Sequence, residues 1–296
     1  LAEHKVKSLI SSSSSAEELV VNVRLVSTKK TQIKELHELV NWRSAEPAAL
    51  QGTFDKLFLG NKWADVVKML REVLDALIQL LRSAHPPAIK ERVFFYLAHV
   101  LNEAAKPHNK TARALLEDYL GRLDHAQLGD LHVILVAHIK TYLTWVNTKP
   151  EPPPDKNAGN VMVIGLANTV NALGLILGIV KNSYVAAERA GAGRGGGAGF
   201  SAEMGSMLDL VNSVFDLTKP VWVKTTQAKA LSRMGAVLEA LQVFLPMDVI
   251  ASKTFDLVSK LSAMGSEQSC IEKLVLVRRI VRGYVFEDAA SRNALV

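Results

Sequence analysis

Three arginines near the end of the chain, Arg278, Arg279 and Arg282, have the spacing with the most usable chemistry. Arg278 and Arg282 are four apart, so on a helix their guanidinium groups stack on one face with Arg279 alongside. A guanidinium fork can give two parallel hydrogen bonds to a carboxylate or phosphate, so the stripe could dock an acidic peptide, a phosphate or an anionic membrane surface. The competing reading is a solvated face whose charges pair with Asp or Glu of a neighbouring helix. In the stretch CIEKLVLVRRIVRGYVF, Leu274, Val277, Val281 and Val285 form one apolar face, and the arginines are expected on the other.

Catalytic or metal-binding groups do not assemble by spacing. The histidines, His4, His37, His85, His99, His108, His125, His132 and His138, contain no His-x-x-x-His or His-Glu-x-x-His pair. His132 and His138 are six apart, which on a helix separates them by about 120°. The neighbouring carboxylates Glu17-Glu18 and Glu117-Asp118 diverge by about 100° and make no acid/base couple. Cys270 is the only cysteine, which excludes an internal disulfide. Gly191-Ala192-Gly193-Arg194-Gly195-Gly196 formally satisfies G-x-G-x-x-G, yet a helix precedes it where a dinucleotide site needs a strand. No catalytic site, cofactor or metal is expected, although a site assembled from distant positions leaves no mark in spacing.

The elements that must position these residues are helices. Apolar residues recur three and four apart along almost every segment, and Leu, Val and Ala dominate over aromatics. After the serine run Ser11–Ser15, helices are expected at 16–28, 30–45 and 52–62. The clearest stripe starts at Lys62 and runs through Val66, Val67, Leu70, Val73, Leu74, Leu77, Ile78 and Leu81 as one helix, which Pro86-Pro87 stops. Further helices are expected over 88–105, 111–123 and 128–146. A proline-rich linker, 148–157, then divides a first helical half, 29–147, from a second, 158–287. Residues 1–28 read as an N-terminal arm and 288–296 as a tail. In the second half a long helix runs to about Ala190 with a break near Lys181-Asn182, followed by a flexible glycine loop at 191–199. Four more helices are expected near 202–217, 221–244, 247–264 and 267–286.

Helix pairs thus recur at about 40 residues, a period within the range of HEAT and armadillo arrays. Over 62–287 the chain resembles an α-solenoid of the HEAT/armadillo kind, in architecture. The family's fixed Pro, Asp and Arg positions are not repeated, so the expected fold is all-α, either such a solenoid or an irregular helical bundle. The resemblance implies a groove, lined by the second helix of each pair, that receives a protein partner.

The stretch VMVIGLANTVNALGLILGIV, 161–180, has the length and hydropathy of a membrane span and contains Gly174-xxx-Gly178, a spacing found where membrane helices dimerise. Asn168, Thr169 and Asn171 near its middle would be costly in hydrocarbon. A buried helix of a soluble array is therefore the preferred reading, and it requires protein partners for the asparagine amides.

The mild net charge of +6 is spread evenly along the chain and gives only weak support to nucleic-acid binding. No secretory signal is recognised, and the single cysteine fits a reducing compartment, cytoplasmic or nuclear. The function expected is that of a non-enzymatic scaffold or adaptor that binds a protein partner, for instance an acidic peptide or helix, with Arg278, Arg279 and Arg282 as the contact residues. The alternatives are a membrane-associated helical protein using 161–180 or the arginine stripe, and an RNA- or DNA-associated one.

Overall fold

The computed structural model describes residues 5–6, 21–22, 31–60, 62–123, 128–148, 156–190, 196–216, 221–261 and 267–283. The fold is all-α, and its packed helices are compatible with a solenoid or an irregular bundle. The one exception among the described residues is a two-residue antiparallel pair, β1 (Lys5–Val6) with β2 (Val21–Asn22). Val21 and Asn22 are therefore extended where a helix is expected; the rest of 16–28, the serine run and the tail 288–296 lie outside the described residues.

The first helices are α1 (Lys34–Val40) and α2 (Pro47–Phe54), the latter continued by a π-turn over Asp55–Leu59. The single helix expected from Lys62 is two, α3 (Trp63–Lys68) and α4 (Leu70–Arg82). Met69 separates them, with φ −123° and ψ 29° outside the helical region. Its apolar side chain keeps the hydrophobic stripe continuous across the break, so periodicity alone does not reveal it. In α4 the stripe Leu70, Val73, Leu74, Leu77, Ile78 and Leu81 is buried. Pro87 opens α5 (Pro87–Ala104) at a first-turn position where its missing N–H costs nothing. Then come α6 (Lys110–Gly121) and α7 (Leu131–Thr148).

Thr148 closes α7 and Lys156 opens α8 (Lys156–Arg189), so the inner part of the expected linker, 149–155, lies outside the described residues. Helix α8 passes Lys181-Asn182 without a break. Next, α9 (Gly196–Val214) begins inside the glycine run: Gly196, Gly197, Ala198 and Gly199 are helical, and 191–195 lie outside the described residues. The helix-forming stretch behind them extends the helix backwards over residues whose composition favours a loop. The chain continues with α10 (Val221–Leu241), α11 (Met247–Leu261) and α12 (Glu267–Val281).

Helix α8 is the spine, packing against α5, α7 and α10. Other helices attach to those: α4 to α5, α6 to α4, α9 to α7, α11 to α9 and α12 to α10. The buried apolar side chains form one continuous cluster from Leu36 to Ile280. Val161–Arg189 has the length and the mean hydropathy, 2.0, of a membrane span, a test that core helices of soluble proteins also pass. Here no residue from Gly165 to Val180 is exposed, although Val161 and Ile164 are.

Of the two asparagines near its centre, Asn168 has protein partners, whereas the half-buried Asn171 has none among the described residues. Asn168, 6% exposed, accepts a hydrogen bond from Asn102 Nδ2 of α5 at 2.9 Å, and its own Nδ2 lies 3.3 Å from His99 Nδ1. Buried Thr169 donates to the carbonyl of Gly165, 2.7 Å away. The two glycines of the Gly-xxx-Gly motif do not act together. At Gly174 the backbone approaches α10 so closely that an added Cβ would stand 3.3 Å from Ala236 Cβ, whereas nothing lies within 4 Å of the same position at Gly178.

Candidate functional site

On α12 the buried residues are Leu276 and Ile280, four apart and turned toward the core. The apolar face expected from Leu274, Val277 and Val281 is not the one that packs: Leu274 is 69% exposed and Val281 47%, while Val285 lies outside the described residues. The sequence of α12 carries two apolar stripes, and polar anchors select between them. Arg279 forms a bidentate pair with Glu239 of α10, Nε to Oε1 at 2.9 Å and a terminal nitrogen to Oε2 at 2.8 Å. Its aliphatic stem occupies the space above Gly235, where an added Cβ would fall 2.2 Å from Arg279 Cδ. Lys273 donates to the carbonyl of Leu261 at 3.1 Å, satisfying an orphan acceptor at the end of α11.

The three arginines therefore divide. Arg279 fixes the helix to its neighbour, whereas Arg278 and Arg282 are exposed, and among the described residues neither joins an ion pair. Around them stand Ile271, 50% exposed, and Val275, 54%, together with Leu274 and Val281. Sequence reasoning assigned Ile271 and Val275 no role, because their exposure follows from the rotation of α12 about its axis.

Several polar clusters that spacing could not reveal are drawn together from distant positions. Ser183 Oγ lies 3.0 Å from His132 Nδ1, the separation of an activated nucleophile and its base. Yet Ser183 is fully buried, accepts the His132 backbone N–H at 3.0 Å and donates to the Gly129 carbonyl at 3.0 Å. The hydroxyl thus caps the start of α7 from the side of α8, in the manner of an N-cap residue. Asp55, at the π-turn, accepts from Arg92 through both oxygens, at 2.7 and 2.5 Å, and from the Tyr96 hydroxyl. Burial raises the Asp55 pKa, but the hydrogen bonds from Arg92 and Tyr96 outweigh it and hold the carboxyl below its usual range.

A cavity of about 160 Å³ between α4 and α6 is lined by Arg71, Asp75, Tyr119 and Arg122. Its charges are met internally: Asp118 pairs with Arg71 at 2.9 Å and with Arg122 at 2.7 Å, and Tyr119 donates to Asp75 at 2.8 Å. Between α7 and α9 an open depression beside Trp145 is bridged by Lys140 and Glu203 at 2.5 Å. Among the described residues, the face of α12 alone combines exposed aliphatic side chains with exposed, unpaired guanidinium groups. No protein-family model and no curated protein matches the chain.

Proposed function

We propose that the protein is a non-catalytic helical scaffold of HEAT/armadillo type that binds a protein partner through the outer face of α12. The supporting observation is the exposure of Ile271, Leu274, Val275 and Val281 around Arg278 and Arg282 on a helix whose other side is anchored. Large aliphatic side chains gathered on one exposed face mark an interaction surface, and arginine is enriched at such surfaces. In this reading Arg279 supports the surface from beneath, and the cytoplasm or nucleus is the setting. Membrane insertion of α8 is the less favoured reading, because Gly165–Val180 is covered by protein and Asn168 is hydrogen-bonded.

The test is affinity capture from cells with quantitative mass spectrometry, comparing the unaltered chain with Leu274→Asp and with Arg278→Glu/Arg282→Glu. Proteins retained by the first and lost by both variants are expected. An identical set from all three would refute the proposal, and recovery of the chain in a carbonate-washed membrane pellet would favour insertion instead.

A further inference from the structure

The outer face of α12 has a polarity along its axis that restricts what can cover it. At 100° per residue, Val281, Leu274, Arg278, Ile271, Arg282 and Val275 fall in that order across an arc of about 120°. Apart from Glu267 at the first position of α12, no acidic residue falls within the arc. Along the axis the arc is aliphatic through Ile271, Leu274 and Val275 and then basic, with Arg278 and Arg282 about 6 Å apart and Val281 between them at the arc's edge.

A membrane surface fits this arrangement poorly. An interfacial helix keeps its cations at the border of the apolar face, where they reach the headgroups. Here the guanidinium groups stand mid-face, so a flat surface that took up Leu274 would press both toward the acyl chains. A second copy of α12 fits no better, since each arc sets the single Glu267 against two arginines and a symmetric pair would leave two guanidinium groups uncompensated.

We infer that the occupant is an acidic amphipathic helix lying antiparallel to α12, a conclusion that rests on the partner-binding reading above. Its C-terminal half sets aliphatic residues against Ile271, Leu274 and Val275. Its N-terminal half presents two carboxylates four residues apart to Arg278 and Arg282. The antiparallel sense follows because carboxylates are stabilised near a helix N-terminus, and this sense brings that end over the arginines.

Cys270, exposed and one turn before Leu274, is the only thiol in the chain and takes an environment-sensitive fluorophore without engineering. Three synthetic 18-residue helices serve as probes: one with a Glu pair in the N-terminal half and leucines in the C-terminal half, one with the two halves exchanged, and one with Gln replacing Glu. Vesicles of phosphatidylserine and phosphatidylcholine form a fourth arm. The first peptide is expected to shift the emission saturably and to bind about tenfold more tightly than the Gln peptide, an advantage that shrinks in high salt. The exchanged peptide binds about threefold more weakly than the first. Arg278→Glu/Arg282→Glu abolishes the preference for Glu, and Leu274→Asp abolishes binding of all three; both variants alter exposed positions, and an unchanged circular-dichroism melt establishes that they fold. Equal binding of the Glu and Gln peptides overturns the inference, as does a response to vesicles alone. If cellular capture depends on α12 while the Glu peptide does not bind, this inference falls and the partner-binding reading stands; if capture is independent of α12, both fall.

Discussion

Asn102 and Asn168, 66 residues apart in the chain, share a hydrogen bond of 2.9 Å that ties α5 to α8 inside the core. The bond belongs to a relay. The Asn168 amide approaches His99 Nδ1, and the His99 side chain in turn bonds the Phe58 carbonyl at the π-turn. This pattern requires neutral His99 to carry its hydrogen on Nε2, facing Phe58, and to accept at Nδ1. Asn168→Leu keeps the branched shape and the number of heavy atoms and removes the partner of two half-buried groups. It is expected to lower stability by about 1–3 kcal/mol in urea denaturation, the cost of leaving such groups unpaired. No change in the denaturation midpoint would show that the relay contributes nothing.

Acidification should weaken the fold before its carboxylates protonate. His138 stacks on Phe94 with ring centroids 5.1 Å apart, and burial, with Lys90 adding to it, pushes its pKa down to about 4. His99 and His132 are lowered in the same direction, chiefly by burial. In each case the unfolded chain binds the proton more readily, so the stability contributed is complete above pH 6.5 and is lost as the pH falls. For His138 the window runs from 6.5 to about 4, with a loss on the order of 2 kcal/mol after allowance for its partial exposure. Thermal melts across this range should decline, and His138→Phe should flatten the decline. A pH-independent melt would contradict the burial of these rings.

The arginines of α12 should separate by assay. Arg279→Ala is expected to cost a few tenths to 1 kcal/mol, the usual value of an exposed ion pair, whereas Arg278→Ala and Arg282→Ala leave the melting temperature unchanged. Gly235→Ala gains up to about 1 kcal/mol of helix propensity but displaces the Arg279 stem. Its net effect on stability should be small, while the coupling between Arg279 and Glu239 in a double-mutant cycle disappears. Retained coupling in the Gly235→Ala background would mean that the stem finds another path.

Ser183→Ala removes the acceptor for the His132 N–H and the donor to the Gly129 carbonyl. A loss of about 1–2 kcal/mol is expected, together with faster hydrogen exchange at the first amides of α7. Exchange unchanged at His132 would argue against the capping role.

The sequence made the helical architecture legible where an apolar stripe recurs against polar neighbours, as from Leu70 to Leu81. It also marked 161–180 as a segment that, in a soluble fold, must find partners for its asparagine amides. Backbone breaks that keep the stripe in phase, such as Met69, are invisible to periodicity, and so is a helix that starts on glycine, as α9 does at Gly196. The site was half legible. The four-residue spacing of Arg278 and Arg282 places them on one face, but which face of α12 meets the core depends on Glu239 and Gly235, 40 and 44 residues before Arg279. Pairings such as Ser183 with His132 depend on the tertiary fold and leave no local signature.

The position of α8 also determines what happens if the chain is cut. It follows the proline-rich segment yet is held by α5 and α7, which precede it. A protein severed between Thr148 and Lys156 should therefore stay together as a two-piece complex, with the spine of one fragment seated in the other, so a proteolytic nick there would go unnoticed in the folded state. The fragments made separately would each carry a large uncovered apolar surface and should recover the native assembly only when mixed.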